Sequence, residues 1–167
     1  MRPDLLAWLR CPACGGSLTA ATTDAGSDGT LRCAGCGLDT PVRHGIPRFV
    51  DVPEDATARR TQASFGYEWT HFNDWRPSGE TNFNDYFQAL DLESLRSAVV
   101  LDGGCGMGRH ARQIARFARR VVAIDFSRAI DQAAANTADA GNVDCIQGDL
   151  LALPVADGSF DFAYSLG

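Results

Sequence analysis

The stretch Val99-Val100-Leu101-Asp102-Gly103-Gly104-Cys105-Gly106-Met107-Gly108 admits few folds. A short apolar run, Ser97 to Val100, leads into it, and glycines then alternate at 104, 106 and 108. Behind them Ala111, Ile114, Ala115 and Ala118 recur at helical spacing on one face. The pattern predicts a buried strand, a tight glycine turn and a helix start. Glycine serves where the chain takes positive φ or where a ligand presses on the backbone. A helix start behind such a turn offers free N–H groups and a positive dipole end. The stretch reads as a nucleotide-shaped site. In a dinucleotide fingerprint, G-x-G-x-x-G, the third glycine would fall at 109, which here is Arg109.

The alternation continues downstream. Arg120 to Asp125 reads as a second buried strand, and Ser127 as the cap of a helix with Ile130, Ala133, Ala134 and Ala138 on its apolar face. Gly141-Asn142 ends that helix. Val143 to Ile146 is a third strand, closing at Gly148-Asp149-Leu150, and Ser159 to Leu166 a fourth. Short strands separated by helices predict a parallel α/β sheet. Ligands of such sheets sit at the carboxyl ends of the strands. Asp125 ends strand two, about 20 residues past the turn, where a carboxylate can accept from ribose hydroxyls. Nicotinamide enzymes share that feature. Asp149 can accept from an adenine amino group, and Phe126 or Leu150 can pack on its faces.

Four of the six cysteines form two pairs, Cys11-Pro12-Ala13-Cys14 and Cys33-Ala34-Gly35-Cys36, with eighteen residues between them. That spacing predicts a four-cysteine zinc site, since zinc takes four thiolates in a tetrahedron and two knuckles supply them. Gly15-Gly16 and Gly35 with Gly37 permit the tight turns. Fifty residues bury too little core to fold alone, so the metal's role is structural. Leu5, Leu6, Trp8 and Leu9 suggest a short helix before the first pair. The pattern Leu5-Leu6-x-x-Leu9-x-Cys11-Pro12-x-Cys14, Cys33-x-x-Cys36-Gly37 and Pro41-Val42-x-x-Gly45-Ile46-Pro47 resembles the zinc ribbons of tRNA methyltransferase activators. It is also similar to the ribbon fronting some ribosomal RNA guanine methyltransferases. Residues 1–50 carry five arginines against Asp4, Asp24, Asp28 and Asp39. That near balance favours RNA no more than a packing or partner-docking role.

The acidic G-x-G-x-G turn resembles motif I of class I S-adenosylmethionine-dependent methyltransferases. Over residues 97–167 the ordered blocks Leu101-Asp102-x-Gly104-Cys105-Gly106-x-Gly108, Val122-x-x-Ile124-Asp125-x-Ser127 and Gly148-Asp149-Leu150-x-x-Leu153-Pro154-x-x-Asp157-x-Ser159-Phe160-Asp161 look like consecutive motifs of their type 11 group. The resemblance implies that Asp102, Gly104, Gly106 and Met107 line the methionine part, Asp125 the ribose, and Asp149 with Leu150 the adenine. The expected architecture is an α/β, Rossmann-like methyltransferase half-sheet with strand order 3-2-1-4. Its C-terminal strands are missing, and a small N-terminal four-cysteine zinc ribbon fronts it. Three parts are expected: a ribbon over 1–50, a linker with an aromatic-rich cap over 51–96, and an incomplete cofactor domain over 97–167. Asp51 to Thr61 reads as the linker, and eight of the fifteen aromatics fall between Phe65 and Phe87. These would form a hydrophobic cap or a lid that excludes water. One helix is expected from Asp85 to Leu95.

The expected cofactors are S-adenosyl-L-methionine and Zn2+, and the expected activity is methyl transfer to an RNA or small-molecule acceptor. No catalytic base is assigned; Tyr67, Glu68 and His71 are candidates. The alternatives are a noncatalytic ribbon module whose half-sheet only binds cofactor or needs a second chain, and a nicotinamide oxidoreductase. Strand four would be an exposed apolar edge, which proteins avoid. A truncated chain, a partner chain or self-association through that edge is therefore expected. The net charge of −6 argues against broad nonspecific grip on nucleic acid, though a local basic patch is compatible with it. No apolar run approaches a membrane span, and the acidic start Met1-Arg2-Pro3-Asp4 is unlike a signal peptide; the expected location is cytoplasmic.

Overall fold

The computed structural model describes residues 2–23, 28–50 and 78–166. It begins with helix α1 (Pro3–Trp8), with proline in its first turn, where the missing N–H costs nothing. An antiparallel sheet follows, in sequential order β1 (Leu18–Thr23), β2 (Gly29–Cys33), β3 (Asp39–Arg43) and β4 (Ile46–Pro47). The two cysteine knuckles precede β1 and close β2.

After helix α2 (Ser78–Phe87) comes a second, parallel sheet: β5 (Val99–Gly103), β6 (Arg120–Asp125), β7 (Val143–Gln147) and β8 (Phe162–Tyr164). Its order is β7-β6-β5-β8, which is 3-2-1-4. Helix α3 (Arg109–Ile114) joins β5 to β6, and helix α4 (Ala129–Asn136) joins β6 to β7. All residues of β5 and β6 are buried, as strands covered on both faces must be.

The two covers differ. One face (Val100, Val121, Ala123, Cys145) packs on Phe83 and Phe87 of α2, Ala111 and Ile114 of α3, and Ile130 and Ala133 of α4. The other face (Leu101, Val122, Ile124, Ile146) packs on Leu5, Leu9, Leu18, Leu31 and Val42 of the N-terminal unit. Leu5, Leu9, Leu31, Val122, Ile124 and Ile146 are each at most 1% exposed. Full burial of one such side chain stabilises by about 1.5–3 kcal/mol, so this is a shared core rather than a surface contact. Backbone bonds stitch its margins: Arg10 N–H donates to Pro154 O (2.9 Å), Ala156 N–H to Trp8 O (2.8 Å) and Phe49 N–H to Gln147 O (2.8 Å). Beneath the sheet, Arg120 donates to Asp144 (2.6 Å) and Asp4 (3.1 Å) and lies 5.0 Å from the Trp8 ring centre. The packing role left open for the ribbon is thus the arrangement seen, set against the sheet.

Some boundaries differ from expectation. The single helix expected over 85–95 is two pieces. Chain turns after Phe87, and Asp91, whose side chain accepts from Glu93 N–H (3.1 Å), caps a 3-10 helix over Leu92–Ser97. Strand four is shorter than Ser159–Leu166 because only Phe162–Tyr164 pairs with β5. Ahead of that strand, Asp161 turns its carboxylate onto Val99 N–H (2.8 Å). Ser127 caps as expected, accepting from Ala129 N–H (3.1 Å). Of the aromatic cap, Phe83, Tyr86 and Phe87 are described; Phe65 to Trp75, with Tyr67, Glu68 and His71, lie outside the described residues.

Candidate functional site

The glycine turn is held by β6. Gly104 and Cys105 N–H both donate to Ile124 O (2.8 and 3.1 Å), and Gly106 N–H donates to Asp125 Oδ2 (2.7 Å). The three alternating glycines all have positive φ. Gly108 is the most constrained: its φ is +78°, and a Cβ there would stand 3.1 Å from Cα and Cβ of Ala133 on α4. The glycine therefore serves a helix crossing as well as a turn.

Asp125, at the end of β6, is 9% exposed. Its Oδ1 accepts from Ser127 N–H (2.8 Å) and Ser127 Oγ (2.7 Å), and Oδ2 accepts from Gly106. A carboxylate has about four acceptor positions, so one on Oδ2 stays open, and rotation of the Ser127 hydroxyl frees a second. Asp102, on β5, is 3% exposed. Burial pushes its carboxyl up to about 7, with the Tyr164 hydroxyl holding it down and the Asp125 charge raising it further. Met107 is buried, and its carbonyl accepts from Asn136 Nδ2 (2.9 Å).

Phe126 is half-buried, its carbonyl accepting from Gln147 Nε2 (3.2 Å). Asp149 accepts from Leu151 N–H (2.8 Å) as the cap of a 3-10 turn. Leu150 is 40% exposed and lays its methyl groups against Gly103 and Gly104. Asp102, Gly104, Gly106, Asp125, Phe126, Asp149 and Leu150 therefore gather at the carboxyl ends of β5, β6 and β7.

Sequence reasoning passed over three neighbours. Asp102 Oδ2, Arg109 Nε, His110 Nδ1 and the Tyr164 hydroxyl are shut off from water; the Tyr164 hydroxyl lies close enough to act on the Asp102 carboxyl, while Arg109 Nε and His110 Nδ1 find no partner among the described residues. His110 is 9% exposed, packed against Phe83, Tyr86 and Phe87, and burial followed by the Arg109 charge lowers it to about 4. Phe87 contacts Tyr164 edge-on at 5.1 Å between ring centres. Buried polar atoms are almost always paired. Two buried orphans beside an acid–hydroxyl pair fit a polar guest with both donors and acceptors. Tyr164 carried a faint signal as an inward position of strand four.

The four cysteines form a second site. Cys11, Cys14, Cys33 and Cys36 place their sulfurs within 4.8 Å of one another, with Cys11–Cys36 at 3.7 Å and Cys14–Cys33 at 3.4 Å. Zinc–sulfur bonds of about 2.3 Å in a tetrahedron set sulfurs about 3.8 Å apart, so the spacing and donor set fit that ion. The Cys36 N–H, and then that of Gly35, hold the Cys33 thiol down to about 6 against burial. A Cβ on Gly16 would stand 2.9 Å from Cys33 Sγ, so the cluster itself demands glycine there.

A parallel sheet with its polar groups at the carboxyl strand ends and an acidic glycine turn defines a nucleotide-binding α/β class. Within it, residues 100–167 match the sequence profile of the family described as methyltransferase domain. No curated protein matches the sequence. Among solved structures, the Trypanosoma brucei PRMT1 enzyme–prozyme heterotetrameric complex with AdoHcy is 25% identical (TM-score 0.51), over 62% of this chain and 33% of that one. The N-methyltransferase NodS of Bradyrhizobium japonicum, in complex with S-adenosyl-L-homocysteine, is 23% identical (TM-score 0.51), over 62% and 54%. Arabidopsis thaliana protein arginine methyltransferase 10 is 25% identical (TM-score 0.49), over 62% and 31%. The chain spans no more than about half the length of these solved chains. No helix among the described residues is long and apolar enough to cross a membrane.

Proposed function

We propose that this chain binds S-adenosylmethionine at the carboxyl ends of β5, β6 and β7 and serves methyl transfer to a small-molecule or RNA acceptor. The observation that carries the reading is the set of buried polar atoms on Asp102, Arg109, His110 and Tyr164, the residues flanking the glycine turn, beside the acidic end of β6. The AdoHcy in the PRMT1 complex supports the same cofactor class here.

In this reading Asp125 accepts from the ribose hydroxyls, through Oδ2 and through Oδ1 once the Ser127 hydroxyl turns aside. Asp149 accepts from the adenine amino group, while Phe126 and Leu150 cover its faces. Gly104 and Gly106 bring backbone close to the methionine part, with Met107 beneath and Asp102 beside it. When bound, the sulfonium supplies an electrophilic methyl group. The protein's share of the work is alignment of an in-line nucleophile and exclusion of water. Phe83, Tyr86 and Phe87 supply apolar cover next to His110 and Tyr164. The four cysteines hold a structural zinc ion.

The test is calorimetric titration of the zinc-loaded chain with S-adenosylhomocysteine, wild type beside Asp125→Ala. Micromolar binding that disappears in the variant is expected. A folded, monodisperse wild type that gives no heat would overturn the reading. For the metal, one zinc per chain is expected by elemental analysis, and Cys33→Ser should lose it.

A further inference from the structure

The adenosine side of the site is held in place by the N-terminal unit. Arg48 follows β4, and its side chain is only 10% exposed. Such a guanidinium is costly to bury without partners. It has two: it pairs with Asp131 of α4, and its Nη1 donates to Gln147 Oε1 at 3.3 Å. Gln147 ends β7, and its Nε2 donates to Phe126 O, the residue after Asp125. Next to Arg48, Phe49 N–H donates to Gln147 O. Contacts thus run from β4 through Arg48 and Gln147 to the loop after β6.

The far end of the same segment is held by the same unit. Leu9 bridges to Val155, and Arg10 N–H reaches Pro154 O. Pro154 in turn lies where a Cβ on Gly148 would meet it at 3.2 Å. The segment from Gln147 to Val155, which bears Asp149 and Leu150, is therefore pinned at both ends by residues of the four-cysteine unit.

We propose that the four-cysteine unit is an internal brace of the cofactor site, with Arg48 as the positioning residue, so that metal occupancy sets cofactor affinity without the metal touching the cofactor. This rests on the cofactor reading above. Arg48 acts through Gln147 and the Phe126 carbonyl.

The experiment compares full-length, zinc-loaded wild type with Arg48→Met, Arg48→Lys, Gln147→Glu and Arg32→Met. It reads S-adenosylhomocysteine affinity, and hydrogen exchange at amides 124–128 and 145–150 without ligand. Arg48→Met should weaken affinity roughly tenfold, as small misplacements at a site do. It should speed exchange at those amides while zinc content stays at the wild-type level. Arg48→Lys should restore part of both. Gln147→Glu keeps the acceptor for Arg48 and loses the donor to Phe126, and should copy Arg48→Met; it decides the matter if Arg48→Met does not fold. Arg32→Met, which breaks the exposed Arg32–Asp39 pair, should change neither readout. Stripping the metal with a chelator should reproduce the fast exchange, and added zinc should reverse it. Wild-type exchange at 124–128 and 145–150 in both Arg48→Met and the stripped protein would overturn the proposal. If the wild type binds no S-adenosylhomocysteine, the cofactor reading fails, and the exchange data still decide whether the brace exists.

Discussion

The four-cysteine unit and the glycine-turn site assemble their chemistry in opposite ways. The cysteines are one residue type, come from two short knuckles, and leave Cys14 and Cys36 exposed. The glycine-turn site draws Asp102, Arg109, His110 and Tyr164 from three elements and shuts their polar atoms off from water. Nearby thiols gain from a shared cation, so the first cluster gains stability when filled. The second has desolvation already imposed on it. The two clusters therefore differ in where their cost sits.

The largest effect should come from the metal. Apparent zinc-binding free energies of about 10 kcal/mol or more reside in small four-ligand sites. Because Leu5, Leu9 and Leu31 share a core with Val122 and Ile146, chelation should lower the melting of the whole chain, followed by circular dichroism. A melt unchanged by chelator would mean that the two regions are independent. Next, Arg120→Met leaves Asp144 buried at 6% exposure and without its main partner. A loss of about 3–5 kcal/mol in urea unfolding is expected. Gly108→Ala combines a left-handed backbone with a 3.1 Å approach to Ala133, and should cost about 2–3 kcal/mol and abolish S-adenosylhomocysteine binding.

The smallest effect is a pH dependence that wild type conceals. The raised carboxyl of Asp102 gives stability that is full below about 4 and is lost as pH rises to about 7. The lowered imidazole of His110 gives stability that is full above 6.5 and is lost as pH falls towards about 4. The two slopes oppose each other between about 4 and 6.5, each at most about 1.4 kcal/mol per pH unit. Asp102→Asn should expose a fall in stability on acidification, and His110→Phe a rise. Parallel pH profiles for the two variants would show that these groups do not govern that window.

What the sequence made legible follows from range. The C-x-x-C pairs and the alternating glycines act over a few residues, and both were readable as spacing. The parallel sheet was readable because the first three buried runs alternated with amphipathic helices, whereas the order 3-2-1-4 came only with the family resemblance. The placement of the four-cysteine unit was not readable, since Leu5, Leu9 and Leu31 look the same whether they cover their own sheet or another. Arg48 and Gln147 were hidden for a related reason: ninety-nine positions separate them, and nothing local marks a guanidinium whose partner lies across the fold. His110 sat in plain view behind the glycines, but its aromatic surroundings come from α2.

The pairing of residues 8–10 with 154–156 has a consequence for synthesis. The cysteine knuckles emerge before the parallel sheet and are close in sequence to one another. Their apolar side, however, meets Val122, Ile124 and Ile146 only after most of the chain has left the ribosome. Contacts of such long sequence separation form late and slow the final step of folding. Until β7 is made, the apolar side of the four-cysteine unit has nothing to cover it, and chaperone demand should peak in that interval.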